Sequence, residues 1–286
     1  MMRWTPGGNT RDVEDRRGAR GGGGGFRIPG GRMGLGGLLI LLVASLIFKQ
    51  DFFSLLSGGD PGTGANGGPV VASPEEEQLK EFITFVLNDV QTTWDQQLPA
   101  QAGSQYQHAT LVLFREATRS ACGVGEAAMG PFYCPGDNKV YIDLGFYQDL
   151  HQRFGAPGDF AQAYVLAHEI GHHLQFLLGV ESQVRAEQRN RPDQANDLSV
   201  RMELQADCFA GAWGHSAAQR GKLETGDIEE GLGAAAAVGD DRIQEMSTGR
   251  VSPENFTHGS AEQRASWFRR GLTSGRLADC DTFAAR

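Results

Sequence analysis

The sequence predicts an α+β domain behind a non-globular N-terminal stretch. Two short β-prone runs, Thr110–Phe114 and Lys139–Leu144, lie close together. Most of the chain after residue 145 has the apolar spacing of helices. Residues before about 74 are broken by glycine-rich segments. A small sheet followed by helices is the α+β order, and no internal repeat is visible.

Of the 286 residues, 1–32 hold long Gly runs and many arginines with few apolar side chains. Such a stretch cannot offset its ordering entropy by burial, and reads as a disordered tail. Residues 1–49 carry seven Arg and one Lys against Asp12, Glu14 and Asp15, a net of +5, so the chain total of −9 leaves −14 for the rest. That acidic remainder argues against nucleic acid as a partner. Met33–Phe48 is an uncharged apolar run, extended by Phe52, Phe53, Leu55 and Leu56. It reads as one membrane-spanning anchor over 33–56 rather than a cleaved signal. The arginine excess would hold the N-terminus in the cytoplasm and the C-terminal domain outside. Residues 57–73 read as a flexible linker, and 74–286 as one enzyme-sized domain.

All four cysteines, Cys122, Cys134, Cys208 and Cys280, fall in that domain without C-x-x-C spacing. Three pairings are open. The shortest closure joins Cys122 to Cys134 and leaves Cys208 with Cys280, while four free buried thiols stand as the alternative.

Ser73-Pro74 followed by three glutamates predicts a helix start, and Leu79, Phe82, Ile83, Val86, Leu87 and Val90 carry an amphipathic helix to about Trp94. The two β-prone runs flank a Gly/Pro-rich loop that holds Cys122 and Cys134. Asp159 is a candidate cap for a helix over 160–178, with Gly179 as its stop. Asp197 is a candidate cap for a second helix through Trp213, and Asp227 starts an Ala-rich one. Ser260-x-x-Gln263 has the form of a capping box and opens a last helix.

The chemistry lies in His168-Glu169-Ile170-Gly171-His172. Residues i and i+4 of a helix share a face with Cβ atoms about 5–6 Å apart, so both imidazoles can meet one Zn²⁺. Glu169 is turned about 100° from His168 and can reach a water instead of the metal. The flanking residues are apolar, and ionisable groups on a buried helix need a partner or a metal. The third ligand is read as Glu203. Asp207, four residues on, is placed to accept a proton from the far nitrogen of a ligating histidine. Glu181 and Glu187 are rival ligands, but neither has a carboxylate four residues on. His258, six residues before Arg264, could donate to a developing oxyanion with Arg264 assisting. An ordinary surface histidine is the competing reading. His173 reads as a packing residue.

His-Glu-Ile-Gly-His-His, then Met-Glu-Leu-Gln-Ala-Asp at 202–207, then Thr-His-Gly-Ser-Ala-Glu-Gln-Arg at 257–264, resembles the neutral zinc metallopeptidases of bacterial membranes over nearly the whole chain. Their wider gluzincin relatives have a Glu ligand followed four residues later by Asp. In related membrane peptidases a Thr-His-Pro segment precedes an arginine at this distance; here Gly259 replaces the proline. The resemblance implies a zincin-like fold with one Zn²⁺ per chain and Glu169 as general base, and it strengthens His258 and Arg264 as site residues. It also implies a peptide or protein substrate lying extended along an edge strand, which we assign to Lys139–Leu144. A zinc-stabilised binding or scaffold domain without turnover is the rival. It requires a fourth protein ligand that closes the site.

Overall fold

The computed structural model describes residues 1–18 and 72–284. Strands β1 (Val13–Asp15), β2 (Thr110–Phe114), β5 (Phe132–Cys134) and β6 (Lys139–Asp143) form one sheet in the order β1-β2-β6-β5. The first three in that order are parallel, and β5 runs antiparallel to β6. Between β2 and β5 the chain forms a hairpin of β3 (Ala117–Ser120) and β4 (Gly123–Glu126). Side chains alternate across the sheet as a period of two requires. Leu111, Leu113, Val140 and Ile142 join the main core with the helices, whereas Val112, Phe114, Cys134 and Tyr141 pack on the opposite face. The Cys122–Cys134 disulfide ties the hairpin turn to β5, and Cys208–Cys280 forms the second bridge.

Helix α1 (Pro74–Ala102) is capped by Ser73, whose hydroxyl accepts the Glu76 N–H at 3.2 Å. It runs beyond the predicted end near Trp94, through Pro99, to a left-handed Gly103. After α2 (Gly145–Gln152) comes the central α3 (Asp159–Leu177), which ends at left-handed Gly179 as predicted. Then follow α4 (Val180–Asn190), α5 (Ala195–Gln219), α6 (Asp227–Ala237), α7 (Asp240–Thr248) and α8 (Ala261–Ser274). The Ser260/Gln263 capping box is formed in full. Neither Asp159 nor Asp197 is a helix cap: the capping positions are Gly158 and Gln194. Asp159 instead accepts the Met2 N–H and Asp197 pairs with Arg201.

The structure corrects the reading of the N-terminus. Residues 1–18, assigned above to a disordered cytoplasmic tail, are an integral layer of the domain. Val13–Asp15 extend the sheet beside Leu111–Leu113, and Met2 is buried in the main core. The Met1 ammonium lies 3.1 Å from the buried Asp227. Arg17, itself buried, reaches Asp15 on β1 and Glu76 and Glu77 on α1. The apolar run 33–56 and most of the 57–73 linker lie outside the described residues. Among the described residues no helix is long and apolar enough to cross a membrane. A single span between residues 18 and 72 would also put β1 and β2 on opposite sides of a bilayer, where they could not share backbone hydrogen bonds. The single-pass anchor with a cytoplasmic N-terminus and an outward-facing domain is therefore overturned.

The edge strand is corrected as well. Lys139–Asp143 is paired on both sides, by β2 and β5, and has no free edge. The edge strands of this sheet are β1 and β5, and β5 is the one at the cleft. Its stretch of Phe132 and Tyr133, with Gly130 and Pro131 before it, lines the main cleft.

Candidate metal centre

The main cleft has a volume of about 890 Å³, and His168, Glu169, His172, Glu203, His258 and Arg264 all line it. Helices α3 and α5 build its floor. They approach closely at Gly171, between the two histidines: a Cβ there would lie 2.9 Å from the Ala206 carbonyl oxygen. This approach brings Glu203 to the imidazoles. Its Oε2 is 3.2 Å from His168 Nε2 and its Oε1 is 3.6 Å from His172 Nε2. Two nitrogens and one carboxylate oxygen are the donor types zinc takes, and bonds near 2.1 Å in a tetrahedron give ligand–ligand edges of about 3.4 Å. The donor atoms of the three side chains all lie within 4.8 Å of one another, near enough to close on one ion. Among the described residues no fourth His, Cys, Asp or Glu joins this group. Glu181, the rival ligand, lines the cleft but pairs with Arg185.

Behind the imidazoles lies a buried ionic layer. Asp207 Oδ1 accepts from His168 Nδ1 at 2.8 Å and from the Tyr164 hydroxyl at 2.5 Å. Arg264 donates to both Asp207 oxygens, at 2.9 and 3.0 Å, and to the Val238 carbonyl at 3.1 Å. Its guanidinium is thus committed to Asp207, one layer behind the histidine. Burial opposes charge on Asp207, but Arg264 and His168 outweigh it and hold its carboxyl below the ordinary range. Burial likewise opposes protonation of His168, yet Asp207 and Glu203 keep it protonated up to about 9. Burial, joined by the neighbouring Glu203 charge, pushes Glu169 up against the opposing pull of His168, His172 and Arg264, and no described hydrogen bond engages its carboxylate. A metal ion bound at this point would take the place of any proton between the histidine Nε2 atoms and Glu203.

His258 stands on the cleft wall, half-exposed. Asp240, which the sequence analysis did not single out, sets this loop. Its Oδ2 accepts the backbone N–H groups of Thr257, His258 and Gly259, and its Oδ1 lies 3.1 Å from His258 Nδ1. Gly259 has φ +91, a value closed to proline with its fixed φ near −65° and missing N–H. The departure from Thr-His-Pro thus belongs to the Asp240 turn. Tyr164 also went unnoticed in the sequence, although it sits one turn before His168 on the same face. Its hydroxyl cannot be placed near Asp207 without knowing how the helices cross. His173 turns away from the site: it contacts the Tyr133 hydroxyl at 2.9 Å and the Gln107 carbonyl at 2.6 Å, and so ties β5 to α3.

An α+β domain whose central helix presents His-Glu-x-x-His, with a carboxylate from a second helix against both imidazoles, has the site architecture of a zinc metallopeptidase. The chain belongs to the family described as "Putative neutral zinc metallopeptidase", whose model matches residues 2–283. It is similar to the uncharacterized protein YpfJ of Escherichia coli strain K12, at 50% identity over 287 residues, 99% of this chain and 99% of that protein. It is also similar to the uncharacterized protein Rv2575 of Mycobacterium tuberculosis strain H37Rv, at 44% identity over 209 residues, 69% of this chain and 68% of that one. No solved structure matches the chain.

Proposed function

We propose that the protein is a zinc-dependent peptidase that cleaves an extended peptide held across the cleft. The observation that carries this reading is the meeting of His168, His172 and Glu203 in an open cleft, with Glu169 beside them and no fourth protein ligand in the group among the described residues. A closed, purely structural zinc site would require that fourth ligand, which disfavours the scaffold reading. Zinc held by these three side chains supplies Lewis acidity toward the scissile carbonyl and lowers the pKa of a water toward about 7. Glu169 takes the proton of the attacking water and passes it to the leaving amine. Its burial raises its proton affinity, which suits a base that must also give the proton back. His258, oriented by Asp240, donates to the carbonyl oxygen as charge develops there. Arg264 acts through Asp207 on His168 rather than on the substrate. The open edge of β5 offers backbone groups for pairing with the peptide, a mode that reads main chain. Phe146, Phe154, Val165 and Ile243 in the cleft favour substrates with an apolar side chain.

Two variants and a metal assay test this. Purified wild type should carry about one zinc per chain and cleave an unfolded protein substrate. Glu169→Gln should keep the zinc and lose at least about 10²-fold in kcat. Glu203→Ala should lose both metal and activity. Retained cleavage by Glu169→Gln removes Glu169 from the reaction, and a wild type without zinc removes the metallopeptidase reading.

A further inference from the structure

Asp207 fixes the ring of His168, but among the described residues no carboxylate stands behind His172. It has Gln175, one turn along α3, whose Oε1 lies 2.9 Å from His172 Nδ1. The orientation of that amide follows from its other contacts. Gln175 Nε2 donates to the Met202 carbonyl at 2.7 Å and to Gln205 Oε1 at 3.1 Å. Both acceptors require the NH₂ group on that side, so the amide oxygen must face the histidine. An amide oxygen only accepts. His172 therefore carries its hydrogen on Nδ1 and turns the Nε2 lone pair toward Glu203.

The same logic continues one residue further. Gln205 Nε2 donates to the Cys280 carbonyl at 3.1 Å, so Gln205 Oε1 is the atom left for Gln175. Cys280 lies in a short turn (Leu277–Cys280) joined by its disulfide to Cys208 on α5, beside Asp207. Gln175, Gln205 and Cys280 are all buried. Water cannot replace any link in this chain, and a flipped amide would leave two donors or two acceptors face to face.

We propose that Gln175 is a positioning residue for His172, and that Gln205 and the disulfide-held carbonyl of Cys280 fix the direction of its amide. The proposal rests on the reading of His168, His172 and Glu203 as metal ligands. It assigns the two histidines unlike supports: an ionised carboxylate behind His168, and a neutral amide chain ending at the Cys208–Cys280 bridge behind His172. The C-terminal turn then contributes to the metal centre without entering the cleft.

The test is zinc affinity measured by chelator competition, with Co²⁺ absorption as a report on ligand geometry. Gln175→Leu keeps volume but offers no acceptor. It should weaken zinc binding by about 10–100-fold, the range for loss of such a partner, and shift the Co²⁺ bands. Gln205→Leu leaves Gln175 in place but frees its amide to flip, so it should weaken binding in the same direction by a smaller factor. In both, the loss should appear in kcat more than in KM, since β5 is untouched. Zinc affinity within about two-fold of wild type in Gln175→Leu overturns the proposal. If Gln175→Leu does not fold, an unchanged affinity in Gln205→Leu overturns it. A variant whose metal-free form is less stable but whose zinc affinity and Co²⁺ spectrum are those of wild type shows a merely structural role, and also overturns it. A wild type that binds no zinc refutes the metal reading itself, a result separate from these.

Discussion

At His168 a single imidazole is held by three groups whose charges depend on one another. Asp207 is wholly buried, and it is tolerable there because Arg264 and His168 neutralise it. Removing one member of such a set leaves an uncompensated buried charge, which costs about 3–5 kcal/mol. Arg264→Met should therefore lower unfolding free energy by about that amount in urea titrations of the metal-free protein. Arg264→Lys should recover only part of it, because an ammonium cannot make the two parallel bonds to Asp207. An Arg264→Met protein of wild-type stability would show that Asp207 does not need the guanidinium. The motif His-Glu-x-x-His and the Glu203/Asp207 spacing were legible in sequence because ligand chemistry restricts the residue types and one helical turn restricts their separation. Tyr164, Gln175 and Asp240 were not legible: a tyrosine, a glutamine and an aspartate have many ordinary uses, and the contacts that fix them (Asp207, Gln205 and the Thr257–Gly259 loop) lie in other segments.

Helix against helix, the decisive contact is that of α3 with α5. Gly171 faces the Ala206 backbone, and an added methyl group would meet Ala206 at 2.9–3.2 Å from its O, Cα and Cβ atoms. Backbone atoms cannot yield as a side-chain tip does, so the helices must separate. Gly171→Ala should cost about 1–3 kcal/mol of stability, as overpacking does, measured by denaturant unfolding. Its zinc affinity should fall too, because Glu203 moves away with α5. A Gly171→Ala protein that is destabilised but binds zinc unchanged would mean that α5 slides without carrying Glu203 outward. Strands were read less well than helices. Thr110–Phe114 appeared as predicted and Lys139–Leu144 one residue shorter, as Lys139–Asp143, but the hairpin and the three-residue β5 are too short and too mixed in composition to show a period. Their absence from the prediction put the substrate-facing edge on the wrong strand.

The N-terminal segment shows how the whole chain closes on itself. Glu14, on the outermost strand, is bound by Arg16 and by Lys139 of β6, and these hold its carboxyl down at about 2. Its folded pKa lies below its ordinary 4.5. The stabilisation is therefore fully present above that ordinary value and is lost as pH falls from there toward about 2. Hydrogen exchange should show the amides of Val13–Asp15 losing protection within this window before those of α3, and Glu14→Gln should flatten the dependence. Simultaneous loss in both elements would mean that β1 is not a separable layer. The basic, glycine-rich composition that suggested a free tail describes residues 20–32 well enough as composition, but it hid Val13–Asp15. Three residues carry too little hydrophobic pattern to announce a strand when the partner strand is about a hundred residues away.

The His168-Glu169-x-x-His172 motif, the Glu203/Asp207 pair, the helix order and the capping box at Ser260 are local in origin. They depend on side chains within one or two helical turns, so the order of residues along the chain was enough to find them. The position of the N-terminus, the identity of the edge strand at the cleft, the pairing of Arg264 with Asp207 and the contact of Gln175 with Gln205 were decided only on folding. Each joins segments remote along the chain or on different helices, and residue order does not restrict which distant groups meet. The crossing of α3 and α5 at Gly171 and the closure of β1 onto β2 are the contacts that settle those meetings.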